Sequence, residues 1–194
     1  METSLDILPG FLEGVKIFPF FHIAIPLLIF EIPQIKKKYR INRLSLIIGS
    51  FFPDLADKLI LFLKLSNGRG YFHSLSLVFI CFSILFLISK RNNSISVPFL
   101  IGALLHLILD LPSIPLFYPF IMYDFSYRGD PDWISTLLTS PTVQITEIIG
   151  FSIISIIIIK NKLFRREELK EFLIPKRDII NLQYQNPKTL ILED

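Results

Sequence analysis

Cysteine is almost missing from this chain. Cys81 is the single one among 194 residues, which excludes a disulfide within the chain and a zinc site built on several thiolates. Cys81 itself lies midway along an apolar run and reads as a small buried apolar residue. A basic surface interleaved with aromatics is also missing, and the net charge is only +3; no nucleic-acid partner is expected. No repeat relates the two halves, as it does in many secondary transporters. Nor is a cleavable leader expected, because the first apolar run follows an acidic stretch and has no small-residue cleavage site.

Apolar side chains are what the chain has in excess. They make up 52% of it, aromatics 13%, and the mean hydropathy is +0.56. An ordinary soluble domain is less apolar than this, so an integral membrane protein is expected, with one domain by length. Five apolar stretches have about the 20 residues that cross about 30 Å of hydrocarbon. They are Val15–Ile32, Leu44–Leu63, Phe72–Ser89, Val97–Phe117 and Val143–Ile159. Asp54, Asp57 and Lys58 weaken the second, which could instead be re-entrant or buried. Pro112 and Pro115 interrupt the fourth, since proline kinks or ends a helix.

Lysine and arginine divide unequally between the two sides. The first and third connections and the tail from Lys160 hold fifteen, among them Lys36, Lys37, Lys38, Arg40, Arg43, Lys90 and Arg91. The other side holds four, Lys16, Lys64, Arg69 and Arg128. Cationic loops stay in the cytoplasm. The expected fold is therefore all-α: a polytopic membrane helical bundle of about five transmembrane helices, N-terminus outside and C-terminus cytoplasmic, in the plasma or inner membrane. Residues 1–160 would form the membrane-embedded domain and 161–194 a charged cytoplasmic tail, with a solvated or headgroup-facing helix over 162–173. Anionic lipid headgroups are the expected neighbours of the Lys36–Arg43 cluster. The longest outer connection, 118–142, carries Tyr118, Tyr123, Tyr127 and Trp133. These are either headgroup-level aromatics or a lid over a site.

Ionisable groups sit inside these apolar stretches, where they are costly unless they face each other, a cavity or an ion. His22, His73 and His106 are all placed so, and Asp54, Asp57 and Asp110 lie at helical spacing with or near them. Counted from the outer surface, His22, Asp57 and Asp110 are each about 10 Å deep, with Asp54 and His106 one turn deeper. Asp54 and Asp57 share a helix face, as do His106 and Asp110. Histidine and aspartate together are the usual ligands of a metal such as zinc, and Glu147 could join as a ligand or as an acceptor behind one. Plainer readings exist for single residues. His22 would be a satisfied polar spot, Asp57 with Lys58 a helix-end ion pair, and Asp54 after Pro53 a helix cap. Paired His106 and Asp110 have no comparably cheap reading.

These residues resemble a known pattern, that of the YdjM-like family, the LexA-binding, inner-membrane-associated group of membrane-bound metal-dependent hydrolases. The family order is an early His, a Pro-Asp segment with a further Asp, R-G-x-x-H-S, then H-x-x-x-D before a proline-rich stretch. Here it falls on His22; Pro53-Asp54 with Asp57; Arg69 to Ser74; and His106 with Asp110 before Pro112, Pro115 and Pro119. Many members carry a His directly before the Arg-Gly pair, and this chain has Gly68. The resemblance implies a metal-dependent hydrolase, and it extends distantly to zinc-dependent phospholipase C and P1-type nucleases, all-helical enzymes that cleave phosphoesters.

On that reading His22, Asp54, His73, His106 and Asp110 are metal ligands, and Asp57 is a ligand or general base. Arg69 would grip a phosphate with its planar fork, and Ser74 would stand behind the ligands. The cofactor would be a divalent metal, zinc by its donor set, and the substrate a lipid or lipid-linked phosphoester reached from the outer headgroups. The rivals are a membrane scaffold or partner-binding protein, with a structural metal or with buried ion pairs (Asp57 with Lys58, Asp110 with Arg69), and a small ion pathway relaying protons.

Overall fold

A computed structural model describes residues 19–65, 70–126 and 133–175. Among them the fold is all helical. Eight α-helices follow in order: α1 (Pro19–Glu31), α2 (Pro33–Lys38), α3 (Arg43–Phe62), α4 (Leu75–Ile88), α5 (Asn93–Leu109), α6 (Trp133–Thr139), α7 (Pro141–Lys160) and α8 (Arg166–Leu173). One 3-10 turn, Tyr71–His73, precedes α4. Local chemistry sets the starts. The side chains of Asn42, Ser74 and Asn92 each accept a backbone N–H of the first turn of α3, α4 and α5, which supplies donors that the helix leaves orphaned. α7 opens on Pro141, whose missing N–H costs nothing at that position.

α3 and α5 form the centre of the bundle, and glycine decides how closely they approach. A Cβ on Gly49 would lie 2.1 Å from the Phe99 carbonyl oxygen, and one on Gly102 would lie 2.2 Å from that of Leu46. Any side chain at either position would push the helices apart, and with them Asp54 and Asp57 from His106 and Asp110. α1 packs between α3 and α7, and α4 lies along α5. Two apolar clusters result, one around Leu27, Phe30, Leu46, Ile157 and Phe172, the other around Val78, Ala103, Leu107 and Ile114.

Helix lengths depart from the expected spans. α7, at 20 residues, is the one described helix long and apolar enough to cross a membrane. α1, α4 and α5 are apolar but have 13, 14 and 17 residues, and the stretch before Pro19 lies outside the described residues. The fourth stretch stops at Leu109 rather than Phe117, because Pro112 disfavours helix in the residue before it and cannot donate into the turn. α8 is shorter than the expected 162–173. It is anchored as well as exposed, since Phe172 is buried in the core.

Chain direction gives the bundle two chemically different ends. α1 ends where α3 begins, α4 ends where α5 begins, and α7 ends there too, which gathers Lys36–Arg43, Lys90, Arg91 and Lys160–Lys170 at one end. His22, the C-terminal half of α3, the Tyr71–His73 turn and Asp110 lie toward the other. Along α1, His22 and Glu31 are nine residues apart, about 14 Å.

Candidate metal centre

Four side chains from three elements converge at the second of these ends. Asp54 comes from α3, His73 from the 3-10 turn, and His106 and Asp110 from the end of α5. One ligand atom from each lies within 4.8 Å of every other. The Nε2 atoms of His73 and His106 are 3.2 Å apart. Asp110 Oδ2 is 3.4 Å from the first and 3.3 Å from the second. Asp54 Oδ1 is 3.5 Å from His73 Nε2 and 3.9 Å from His106 Nε2. His73, His106 and Asp110 are buried, while the side chain of Asp54 keeps 13% exposure.

The far nitrogens of both rings are tied down. His106 Nδ1 lies 2.7 Å from the Ser50 carbonyl oxygen. A carbonyl only accepts, so Nδ1 carries the proton and Nε2 of the neutral ring presents a lone pair. His73 Nδ1 lies 2.6 Å from Asp57 Oδ2, and an ionised carboxylate fixes the same tautomer there. Asp57 is held in turn by the backbone N–H groups of Gly70, 2.9 Å, and Phe72, 3.2 Å. This anchoring of one ring nitrogen by a carboxylate or carbonyl is how ligand histidines are oriented. Both Nε2 atoms and two carboxylate oxygens are thereby turned toward one another, a donor set suited to a cation.

The spacing suits a small divalent ion. A tetrahedral ion with bonds of about 2.0–2.1 Å holds its donors roughly 3.3 Å apart, and the five separations above run from 3.2 to 3.9 Å. Two neutral histidines and two aspartates carry two negative charges, which one divalent cation cancels. Asp54, with the longest separation and the most exposure, is the loosest member.

The other expected site residues fall around this group. Asp57, expected as ligand or base, stands behind His73, because its two oxygens are already shared among three N–H donors. Its expected partner Lys58 turns to Asp54 instead, Nζ to Oδ2 3.6 Å. His22 is fully buried and stacks on His106 with ring centroids 4.0 Å apart. Its Nε2 is 3.4 Å from Asp110 Oδ1, yet neither ring nitrogen makes a hydrogen bond among the described residues. Glu147 stays outside the group and accepts the backbone N–H of Phe21, next to His22, at 3.3 Å. Ser74 caps α4 and donates to Tyr71 O at 2.7 Å. Arg69, Gly68, Tyr127 and Arg128 lie outside the described residues. Of the outer aromatics, Tyr118 and Phe125 pack on Tyr71, 5.6 and 4.5 Å between centroids, two residues from His73.

A family model for the YdjM inner membrane protein matches residues 18–167. The chain belongs to the YdjM inner membrane protein family. Every residue of the metal centre lies inside that match. No curated protein and no solved structure matches the chain.

Two contributors were not legible in the sequence. The Ser50 carbonyl is a backbone atom and leaves no side-chain signal. Glu31, at the opposite end, is buried and bonded to Arg43 Nη2 at 2.9 Å and Lys36 Nζ at 2.6 Å. An acid closing an apolar run five residues before a lysine was the available clue.

Proposed function

We propose that this YdjM-family chain is a multi-pass membrane hydrolase that uses a divalent metal, zinc by its donor set, to cleave a phosphoester of a lipid or lipid-linked substrate. The observation that carries the reading is the pair of oriented Nε2 atoms 3.2 Å apart between two carboxylates. Asp54, His73, His106 and Asp110 would hold the metal. Bound there, a divalent ion supplies Lewis acidity and water acidified toward neutral pH.

The chain's own residues divide the remaining tasks. Asp57 and the Ser50 carbonyl keep both histidines in the binding tautomer. His22, buried beside Asp110 with both nitrogens unbonded among the described residues, is placed to take a proton and return it. Asp54 lies on the more exposed side of the centre, where a substrate oxygen can approach. Arg69, four residues before His73, is assigned to the phosphate. The aromatics over Tyr71 exclude water from that side. Five crossings with the N-terminus outside and the C-terminus in the cytoplasm would place the centre toward the outer headgroups. The 15-to-4 division of basic residues and the largely exposed apolar faces of α4 and α7 favour this topology.

A second reading has its own support. Four protein donors complete a tetrahedron, which is how structural zinc sites are built, whereas catalytic sites keep a position open. A scaffold with a structural metal would then be the function. The test is elemental analysis of detergent-purified protein together with turnover of a panel of phospholipids and phosphoesters, for the parent and Asp54→Ala. Stoichiometric metal with turnover supports the hydrolase. Metal without turnover favours the scaffold, and absence of stoichiometric metal removes both. A reporter fused after Asp194 should read cytoplasmic.

A further inference from the structure

The opposite end of the bundle carries a second, independent feature. Its described residues include twelve Lys and Arg (Lys36, Lys37, Lys38, Arg40, Arg43, Lys90, Arg91, Lys160, Lys162, Arg165, Arg166 and Lys170) against four glutamates, Glu31, Glu167, Glu168 and Glu171. In the midst of them is a cavity of about 560 Å³, walled on one side by Lys36, Lys37, Arg40 and Arg43 and on the other by Glu168 and Glu171 of α8. Arg43 enters its wall already committed on two sides. Nη2 donates to Glu31 and Nη1 to the Phe172 carbonyl, 2.9 and 3.3 Å. Its Nε is buried with no hydrogen-bond partner among the described residues, in a side chain only 9% exposed. A buried donor left unmet is costly, and a guanidinium edge is shaped to take oxygens of a phosphate.

The surroundings indicate the source of that phosphate. Phe164, 71% exposed, and Ile174, 55% exposed, present apolar surface on either side of α8, beside the cationic ring. Apolar side chains next to a basic cavity suit a ligand with acyl chains below an anionic head, and the chain belongs to a membrane family.

We propose that this cavity binds the phosphate of an anionic glycerophospholipid headgroup, with Lys37 and Arg43 as its principal contacts. Lys37 is exposed, so it supplies charge without holding the fold. Arg43 supplies directed N–H groups, kept in place by Glu31 and by the Phe172 ring 4.5 Å from its guanidinium carbon. The site is separate from the metal centre, and the two proposals stand or fall independently.

The test counts lipids retained per chain by native mass spectrometry. Full-length protein in detergent is offered phosphatidylglycerol or phosphatidylcholine. Each basic residue near a headgroup is worth about fivefold in affinity. Lys37→Ala should weaken phosphatidylglycerol retention about fivefold, and Lys37→Glu about 25-fold. Lys37→Arg should retain it. Lys90→Glu, at the same end but outside the cavity wall, should have under about a twofold effect, and metal content and melting temperature should be unchanged throughout. Equal retention of phosphatidylcholine would overturn the proposal. So would a Lys90→Glu loss as large as that of Lys37→Glu, since the charge would then be spread rather than a site. Displacement of the lipid by glycerol phosphate at equal concentration would also overturn it, by assigning the cavity to a soluble phosphate.

Discussion

The two ends of this bundle meet the same physical problem and solve it differently. Toward the His/Asp end the described residues carry Asp54, Asp57, Asp110, Asp124 and Glu147 against Lys58 and Lys64. At the other end one buried acid, Glu31, is surrounded by cations. There the chain supplies its own countercharge: Arg43 and Lys36 take both oxygens of Glu31, and Asn161 bonds Lys36 at 2.9 Å. At the His/Asp end the histidines turn their Nδ1 atoms outward, to Ser50 O and Asp57, and leave their Nε2 atoms facing the carboxylates. A buried acid whose cations belong to the fold is an element of stability. A buried acid cluster toward which two histidine Nε2 atoms turn is a donor set that could hold a metal ion.

The sharpest way to break this contrast is to remove a central donor. His106→Ala deletes a donor that stands 3.2 to 3.9 Å from each of its three partners. Loss of residues that merely orient a ligand costs 10- to 100-fold in metal affinity, so loss of the ligand itself should exceed about 100-fold. Titration against a chelator of known affinity measures it. Metal bound as tightly as in the parent would mean that the four side chains do not form the site. Lipid retention at the basic end should be unaffected.

The counterpart at the other end is Glu31→Gln, which leaves Arg43 buried without its carboxylate. Removing one partner of a buried pair costs about 3–5 kcal/mol. A loss of that size should appear in the denaturant or thermal midpoint, while the fraction still folded keeps its full metal content. If the stability loss instead followed His106→Ala and spared Glu31→Gln, the roles assigned to the two ends would be reversed.

How far the sequence foretold this depends on the residue. His106 and Asp110 were legible, because ionisable groups one turn apart in an apolar helix have few cheap explanations. Asp54 and Asp57 were legible as a pair but not in their division of labour. An i,i+3 offset turns the two side chains some 60° apart around the helix. Only the path of residues 70–73 decides that Asp57 meets the backbone of Gly70 and Phe72 while Asp54 faces the centre. The five apolar stretches were visible, yet their ends were not: helix α5 stops at Leu109 because of Pro112, and Asp110 becomes its C-cap. At the basic end the cluster from Lys36 to Arg43 read as topology with anionic headgroups as neighbours, and no cavity was foreseen. Its cavity depends on Phe172 of α8 docking across the sequence onto α3, a contact that no local pattern encodes.

Asp57→Asn sharpens the comparison within the metal centre itself. The amide keeps one acceptor oxygen for the backbone N–H groups but no longer bears the charge that favours the Nδ1–H tautomer of His73. Metal affinity should fall 10- to 100-fold, with a smaller change in the thermal midpoint than Glu31→Gln causes. An unchanged affinity would place Asp57 among purely structural groups, alongside Glu31.

The smallest expected effect has the opposite sign. Among the described residues, Lys58 is a cation brought to a liganding carboxylate, with Nζ 3.6 Å from Asp54 Oδ2 and 33% of its side chain exposed. An i,i+4 pair this exposed contributes under about 1 kcal/mol to stability, so Lys58→Ala should barely move the thermal midpoint. It should nevertheless tighten metal binding by about two- to fivefold, because a competing positive charge leaves Asp54. Partial exposure means that salt screens the interaction, and the gain should shrink between low and physiological ionic strength. Weaker metal binding in Lys58→Ala would show that Lys58 positions Asp54 rather than competing for it. The His/Asp end would then, like the Glu31 end, rely on a cation of its own.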